Sequence, residues 1–361
     1  MKYRKIMIGI GIIVFVLGLF VFKTLWQAGE FKDLEPRSDL KCTMVKTAVG
    51  AEDITVDPST GIAFVSCTDR RAALRGETVQ GAIYAYDLNA ASPSLVHLTE
   101  NIAFTFHPLG ISFYQSEQGQ KFLFVVNRGV GEKTRGSTVS MKIEIFEFKA
   151  GKLVHLETIT DRSMTSPNDI LAVGPRQFYV TNDHGFSLPI LQMAEDFLQL
   201  SFAYILYYDG TAMKKAARNL SYANGIGISP DGRNLYASST IKGYVRVFSR
   251  DAASGALKEK GDIKLKTGVD NIDVDEDGNL YLACHPKLLT FMKHSKDASK
   301  HSPSQVLKIH PAGQEAYEID EVFLNHGEML SGSSVAMAYK DRLLIGSVFE
   351  HFLDCRKNGD H

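Results

Sequence analysis

The feature that most constrains this chain is a motif that recurs six times along it. Each copy has two residues, an aliphatic residue, a short strand, a turn and another strand. The aliphatic residues are spaced by 57, 59, 56, 46 and 63 residues, and they are Ile54, Ile111, Ile170, Ile226, Ile272 and Val335. A unit of this length holds four short strands, so the repeat predicts an all-β fold, a six-bladed β-propeller. A β-sandwich with chance similarity is the alternative.

The amino terminus departs from this pattern. Lys2, Arg4 and Lys5 precede an unbroken apolar run from Ile6 to Phe22. At about 1.5 Å per residue the run falls slightly short of a ~30 Å hydrocarbon core, and Trp26 extends it toward the interface. The residues around Trp26 lack the small side chains of a cleavage site, which favours an uncleaved signal anchor over a signal peptide. The basic flank predicts a cytosolic amino terminus and an extracytoplasmic domain, with secretion as the alternative.

These features divide the chain into three parts. Residues 1–28 are predicted to form the signal anchor, a transmembrane helix; residues 29–39 are a linker and residues 40–361 the propeller. A formal net charge of −1 gives no strong field for nucleic acid, so none is expected as a partner. Export would allow Cys42 and Cys355 to form a disulfide that ties the ends of a circular fold together. Reduced, partly buried thiols are the alternative.

Residues just before the innermost strand of a blade point into the channel, and in four of the six copies they carry side-chain oxygens. They are Glu52, Asp53, Asn168, Asp169, Asn224, Asp270 and Asn271. Like charges packed this closely repel, and a hard divalent cation resolves the conflict. Calcium takes about six to eight oxygens in flexible geometry, whereas zinc needs histidine or cysteine at fixed spacings. Adjacent donors on an extended chain point opposite ways, which indicates two metal layers. For any single pair, a turn is the alternative.

From about residue 40 to 355 the chain resembles the paraoxonase/arylesterase family of calcium-dependent propeller hydrolases. The resemblance is carried by Glu52-Asp53, Pro167-Asn168-Asp169-Ile170, Thr181-Asn182-Asp183-His184, Ala223-Asn224-Gly225-Ile226, Val269-Asp270-Asn271-Ile272, Cys284-His285-Pro286 and Gly332-Ser333-Ser334-Val335-Ala336. It implies that a catalytic calcium is bound by Glu52, Asn168, Asn224, Asp270 and Asn271. It implies that a second, structural calcium is bound by Asp53, Asp169 and the backbone carbonyl of Ile111. A retained hydrophobic amino terminus and a disulfide matching Cys42–Cys355 are also implied.

Two positions depart from the family pattern. A family histidine precedes the glycine where this chain has Leu109, and a second follows the asparagine where it has Arg128. The proton-transfer histidine pair is therefore missing, because leucine only packs and arginine stays protonated. His285, at a matching family position, is the remaining candidate for the general base, and Asp270 is a candidate for both ligand and base. His184 is a further channel candidate that would orient a wall or a ligand.

A channel calcium that polarises a carbonyl group would stabilise the oxyanion of ester hydrolysis. The sequence therefore predicts a calcium-dependent hydrolase of small lactones or aryl esters. A non-hydrolytic, calcium-stabilised propeller that acts as a binding scaffold at the membrane surface is the second hypothesis, and the missing histidine pair favours it. A gluconolactonase- or strictosidine-synthase-like activity is the third. Substrate size should depend on the loops at residues 69–78, 129–138 and 188–204; the last has apolar residues at helical intervals and is either a membrane-resting lid or a packed helix.

Overall fold

The computed structural model describes residues 2–46, 49–129, 141–311 and 316–357. Within them lie six antiparallel sheets, each formed mainly by strands that are consecutive in the chain. The first strand of each sheet contacts the first strand of the next, and that of the last sheet contacts that of the first. These contacts close a ring, so the six-bladed β-propeller predicted from the repeat is confirmed.

The strands of the blades, from the channel outwards, are as follows. The first three blades contain β3 (Ala51–Asp57), β4 (Ile62–Cys67), β5 (Ala82–Asp87) and β6 (Leu95–His97); β7 (Pro108–Gln115), β8 (Lys121–Arg128), β9 (Met141–Lys149) and β10 (Lys152–Ile159); and β11 (Pro167–Gly174), β12 (Gln177–Asn182), β13 (Ala203–Tyr208) and β14 (Met213–Leu220). The fourth and fifth contain β15 (Ala223–Ile228), β16 (Asn234–Ser239), β17 (Tyr244–Arg250) and β18 (Leu257–Lys264); and β19 (Gly268–Val274), β20 (Leu280–His285), β21 (Ser304–Pro311), β22 (Tyr317–Asn325) and β1 (Arg37–Ser38). The sixth contains β23 (Ser333–Tyr339), β24 (Arg342–Ser347), β25 (Phe352–Lys357) and β2 (Leu40–Val45).

The two ends of the propeller are joined in the sixth blade. The early strand β2 pairs with the last strand, β25, and Cys42 lies opposite Cys355 in this pairing. The two cysteines form a disulfide, as predicted, whereas Cys67 and Cys284 are buried and belong to no disulfide within the described residues. Because the bridge links residues 313 positions apart, it removes a large amount of conformational freedom from the unfolded chain.

Every inner strand is irregular at the same point. The pairing register of each inner strand with its neighbour shifts within its first few residues, just before the repeated aliphatic residue. Such a bulge turns side chains out of the regular alternation and commonly lies beside functional sites. The aliphatic residues themselves are all buried between the blades. The repeated motif thus both anchors each blade and redirects the oxygen-bearing residues into the channel.

Two glycines allow the inner strands to approach closely at this level. A Cβ atom at Gly110 would lie 2.5 Å from the Cα of Asp169, and one at Gly225 would lie 2.5 Å from the Cα of Asn271. These distances are shorter than any contact that side chains tolerate, so only glycine fits there. Each glycine therefore makes room for an oxygen-bearing residue of the neighbouring blade.

In the described parts of the chain, four helices accompany the propeller: α1 (Lys2–Gln27), α2 (Arg70–Leu74), α3 (Pro189–Phe197) and α4 (Leu288–Lys296). Helix α1 is long and apolar enough to cross a membrane, and its span Tyr3–Gln27 is not buried against the protein. Helices α2 and α3 fall within the predicted loops at residues 69–78 and 188–204, and residues 130–138 of the third loop lie outside the described residues. All four helices contribute residues to one cavity above the channel, which they share with the inner strands.

Candidate active site

The cavity has a volume of about 1560 Å³, and oxygen-bearing residues of the repeat line it. Glu52, Asn168, Asn224 and Asp270 all line the cavity, as does His285. Asn271, also buried, donates from Nδ2 to Glu52 Oε1 at 3.3 Å. Five residues that the family resemblance assigns to one metal are therefore brought together from four different blades.

In each asparagine of this group, the side-chain nitrogen donates to a carboxylate. Asn168 Nδ2 donates to Asp183 at 3.1 Å, and Asn224 Nδ2 donates to Asp270 at 2.5 Å. The Oδ1 atoms of Asn168, Asn224 and Asn271, together with Glu52 Oε2, are buried and have no hydrogen-bond partner among the described residues. Each buried, unpartnered oxygen costs about 1–3 kcal/mol, so four of them at one place need a cation or donors from a ligand.

This donor set suits a hard cation that prefers oxygen. In the described parts of the chain, no three histidine, cysteine, aspartate or glutamate side chains form a metal-binding group. The converging atoms are instead mostly neutral amide oxygens, which calcium accepts alongside carboxylates. Zinc, which selects nitrogen and sulfur ligands, does not match them.

Charge at this site is incompletely balanced by the protein. Burial raises the pKa of Glu52 to about 7; Arg70 opposes the increase and Asp270 adds to it. The Arg70 Nη2 atom lies 3.8 Å from Glu52 Oε2, and the same guanidinium group donates to the backbone carbonyls of Gly50 and Pro108. Sequence reasoning missed Arg70. The available indication was its place at the start of a short helix capped by Asp69, directly after a blade strand.

A second pair of carboxylates, Asp53 and Asp169, is buried and hydrogen-bonded to backbone. The Oδ2 atom of Asp53 accepts from Ile111 N at 2.6 Å, and that of Asp169 accepts from Ile226 N at 2.8 Å. Burial raises the pKa of both groups well above the usual range, and for Asp53 the charge of Asp169 adds to the effect. The three predicted ligands of the second metal thus lie on the inner strands of the first three blades. The amide of Ile111 contacts Asp53 directly.

One wall of the cavity holds the predicted acid–base group. His285 Nε2 donates to Asp270 Oδ2 at 2.8 Å, so the carboxylate fixes the ring and leaves Nδ1 as the nitrogen with a free lone pair. Nδ1 is buried and has no hydrogen-bond partner among the described residues. The ring of Phe291, from α4, stacks on the imidazole with the centroids 3.8 Å apart. We call Asp270, His285 and Phe291 the histidine wall.

The two positions where the family has histidines hold residues that cannot accept a proton, Leu109 and Arg128. Leu109 is half-buried and packs against apolar residues of the second and third blades. Arg128 Nη1 donates to Asp183 Oδ2 at 2.6 Å. His184 Nδ1 lies 2.5 Å from Asp183 Oδ1, and its Nε2 lies 3.0 Å from Asp196 Oδ1 on α3. We call Arg128, Asp183, His184 and Asp196 the ion-pair wall.

Proton affinities differ sharply along the ion-pair wall. Burial alone would raise the pKa of Asp183, but Arg128 and His184 hold it below the usual range. Burial opposes protonation of His184, yet hydrogen bonds to Asp183 and Asp196 raise its pKa to about 10. His184 is thus a cation at neutral pH and cannot accept a proton. His107 is engaged as well, because its Nε2 bonds to the carbonyl of Val79 at 2.8 Å.

The fold and the site together define a propeller whose axial cavity combines buried oxygen ligands with a carboxylate–histidine pair. A family model described as Arylesterase matches residues 30–357. Serum paraoxonase/arylesterase 1 of Homo sapiens is 32% identical over 359 residues, which covers 97% of this chain and 97% of that protein. Serum paraoxonase/arylesterase 2 of Bos taurus is 34% identical over 326 residues, with coverage of 87% and 88%. The chain belongs to the arylesterase family.

Solved structures confirm the fold but not the chemistry. A luciferin-regenerating enzyme superposes with a TM-score of 0.55 at 13% identity, covering 89% of this chain and 96% of that one. An aldose sugar dehydrogenase of Streptomyces coelicolor superposes with a TM-score of 0.50 at 11% identity, covering 89% and 99%. Proteins with different names share this architecture, so the function has to be argued from the site.

Proposed function

We propose that the protein is a calcium-dependent hydrolase of small lactones or aryl esters. The observation that carries the proposal is the group of four buried oxygens on Glu52, Asn168, Asn224 and Asn271, which have no hydrogen-bond partner in the described parts of the chain. They lie beside a carboxylate–histidine pair in one cavity, and the chain belongs to a family named for arylesterase activity. Membership in that family supports an enzyme of the esterase or lactonase type.

We assign these four residues and Asp270 as ligands of the catalytic ion. Asp53, Asp169 and the carbonyl of Ile111 are assigned to a second, structural ion, for which the raised pKa of the two aspartates is the supporting observation. The catalytic ion, when bound, supplies a Lewis acid that polarises the substrate carbonyl group and stabilises the oxyanion. Arg70 lies beside Glu52 and would contribute a further positive charge where the oxyanion forms.

His285 is assigned as the general base. Asp270 holds the proton on Nε2, so Nδ1 can accept a proton from a water molecule that reaches it within the cavity. Transfer of that proton makes the water nucleophilic toward the carbonyl carbon, and the imidazolium that forms is stabilised by the Asp270 carboxylate. The same histidine can then return the proton to the leaving alkoxide or phenoxide. Asp270 serves as a ligand and orienting group here, rather than as the base.

The substrate should be small and largely apolar apart from its ester group. Leu109, Leu188, Phe197, Phe291 and Val348 line the cavity above the oxygen atoms. Apolar side chains of this kind would hold an acyl or aryl group by burial and keep bulk water from the carbonyl. The helix α1 would hold the cavity near a membrane, with the propeller on the extracytoplasmic side; the disulfide supports an oxidising compartment.

Turnover with and without calcium tests the proposal. The full chain is purified in detergent, and hydrolysis of a small lactone and of phenyl acetate is measured with calcium and again after chelation. We expect turnover above background only with calcium, and recovery when calcium is restored. Absence of turnover for both substrates in the calcium-loaded protein would refute the hydrolase.

A binding scaffold is the second candidate, and the replacement of the proton-transfer histidines by Leu109 and Arg128 favours it. Asn168→Ala separates the two functions when stability and turnover are recorded on the same preparation. For the hydrolase, turnover falls by far more than the loss of folded protein explains. For the scaffold, the variant loses calcium-dependent stability and there is no turnover to lose.

A further inference from the structure

Helix α4 carries Phe291 over His285, yet it does not cap its own amino terminus. Its N-cap residue, Lys287, makes no side-chain hydrogen bond to the helix, and the first turn contains no acidic residue. The first amide groups of a helix need acceptors from elsewhere, and negative charge there is favourable. The residues that place α4 are therefore outside α4.

The segment that directly follows the membrane-spanning candidate supplies those acceptors. Leu288 N donates to Ala28 O at 2.9 Å. Glu30 Oε1 accepts from Leu289 N at 2.8 Å and from Thr290 N at 3.2 Å, and Glu30 Oε2 accepts from Thr290 Oγ1 at 2.9 Å. The first three residues of α4 are thus all bonded to residues 28–30, about 260 positions earlier in the chain.

A second contact fixes the same segment beside His285. Gly29 has a φ of +76°, and a Cβ atom there would lie 2.1 Å from the carbonyl oxygen of Pro286. Pro286 directly follows His285. Residues 28–30 therefore contact both α4, which holds Phe291, and Pro286, which follows His285. Ala28 also lines the cavity.

The Phe291 ring is the link between α4 and the proposed base. It stacks on the His285 imidazole at 3.8 Å and 19°, and Nδ1 beneath it is buried. A shift or rotation of α4 changes how far the ring covers Nδ1, and so changes the access of water to that nitrogen. Displacements of about 1 Å near a reacting group can cost ~10²-fold in rate.

We propose that Glu30 is a positioning residue for His285: by capping α4 it sets the place of Phe291 on the imidazole, which couples the segment that follows α1 to the proposed active site. The catalytic half of this inference rests on the proposed hydrolase. The structural half, the link from Glu30 to the His285 ring, does not. A separate measurement therefore decides each half.

The experiment compares Glu30→Ala and Glu30→Gln with Glu35→Ala and Glu35→Gln in the full chain in detergent, with calcium present. Glu35, an exposed glutamate a few residues further along the chain, serves as the matched control. The ring signals of ¹³C,¹⁵N-labelled histidine are recorded by NMR, and His285→Gln identifies those of His285. An aromatic ring stacked on the imidazole shifts its proton signals upfield, so these signals report the Phe291 contact without any need for activity. Circular dichroism and melting temperature confirm that each variant is folded.

In Glu30→Ala we expect the His285 ring signals to move downfield and kcat to fall about tenfold with KM changed less than about twofold. Glu30→Gln keeps one acceptor oxygen, so its His285 ring signals and its kcat should both stay close to those of the unsubstituted protein. If Glu30→Ala does not fold, Glu30→Gln against Glu35→Gln decides, with a smaller downfield shift expected for Glu30→Gln. His285 signals that coincide in the Glu30 and Glu35 variants overturn the inference, whatever the rates. If the unsubstituted protein hydrolyses nothing, the proposed function fails and the NMR comparison alone still decides the positioning role.

Discussion

The histidine wall and the ion-pair wall face the same buried oxygens but differ in what their protons can do. On the histidine wall, His285 is held by one carboxylate and keeps a lone pair on Nδ1. On the ion-pair wall, His184 lies between two carboxylates, which raise its pKa to about 10. The same residue type is therefore a candidate base on one wall and a fixed cation on the other.

The difference shows what replaced the missing histidine pair. Arg128 cannot transfer a proton, but it compensates the buried charge of Asp183, which also bonds to the predicted ligand Asn168. In the proposed hydrolase this wall would support the predicted metal ligands through fixed charges, and proton transfer would be confined to the histidine wall. A single base can serve both halves of an ester hydrolysis, so the loss of the pair does not exclude catalysis.

The largest expected effect is on the histidine wall. His285→Gln should lower kcat for a small lactone by about 10²–10⁴-fold, the range that removal of a general base commonly gives. The melting temperature should change little, because glutamine can still donate to Asp270. Steady-state rates and thermal unfolding with calcium present measure both quantities.

His107 provides the control for this prediction, since it lines the same cavity and its Nε2 bonds to Val79 O. His107→Gln keeps a donor for that carbonyl and should lower kcat by less than about threefold. Equal losses in the two variants would mean that His285 is not the base.

Arg128→Gln should have the next largest effect, and it should act on stability. Asp183 is fully buried and loses one of its two cationic partners, while His184 continues to compensate part of the charge. We expect a loss of about 2 kcal/mol in the free energy of unfolding, below the ~3–5 kcal/mol for a charge left with no partner. Arg162→Gln, an exposed arginine that lines the same cavity, should cost less than about 0.5 kcal/mol. Equal stabilities of the two variants would show that Arg128 is not needed to hold this wall.

The sequence predicted the oxygen-bearing residues of the inner strands better than the residues around them, for a physical reason. The bulged start of each inner strand is encoded locally, so the repeat was enough to find Glu52, Asn168, Asn224 and Asp270. Arg70 and Phe291 belong to short helices between strands, and no period marks them. The cap that Glu30 provides for α4 joins residues about 260 positions apart, and a single sequence contains no signal for such a pairing.

Calcium affinity should fall as the pH is lowered, because Glu52 is a proposed ligand whose pKa lies near neutral pH. Its pKa is raised to about 7, first by burial and then by Asp270, while Arg70 and Arg128 oppose the increase. A proton on Glu52 competes with the ion, so affinity should decrease by about tenfold between pH 8 and pH 6. Titration calorimetry in two buffers of different ionisation enthalpy measures the affinity and the protons released.

Arg128→Gln sharpens this measurement. Removal of one opposing cation should raise the pKa of Glu52 further and move the pH midpoint of calcium binding upward. A calcium affinity that is constant from pH 6 to pH 8 would exclude Glu52 as a ligand that must lose a proton.

The smallest effect concerns the contact between the ion-pair wall and α3. Asp196→Asn removes one of the two carboxylates that bond to His184, and Asp196 is partly exposed, so solvent screens the pair. We expect a loss of about 0.5 kcal/mol near neutral pH, measured as a change in melting temperature.

The pH dependence of that loss gives the sharper test of the two walls. Because the folded pKa of His184 is raised, its ion pairs stabilise the protein fully below pH 6.5, and this stabilisation is lost as the pH rises through about 10. The difference between Asp196→Asn and the unsubstituted protein should therefore vanish above pH 10. If the variant instead lowers kcat by more than about tenfold without a change in melting temperature, His184 takes part in the chemistry. The division into a proton-transfer wall and a structural wall would then be wrong.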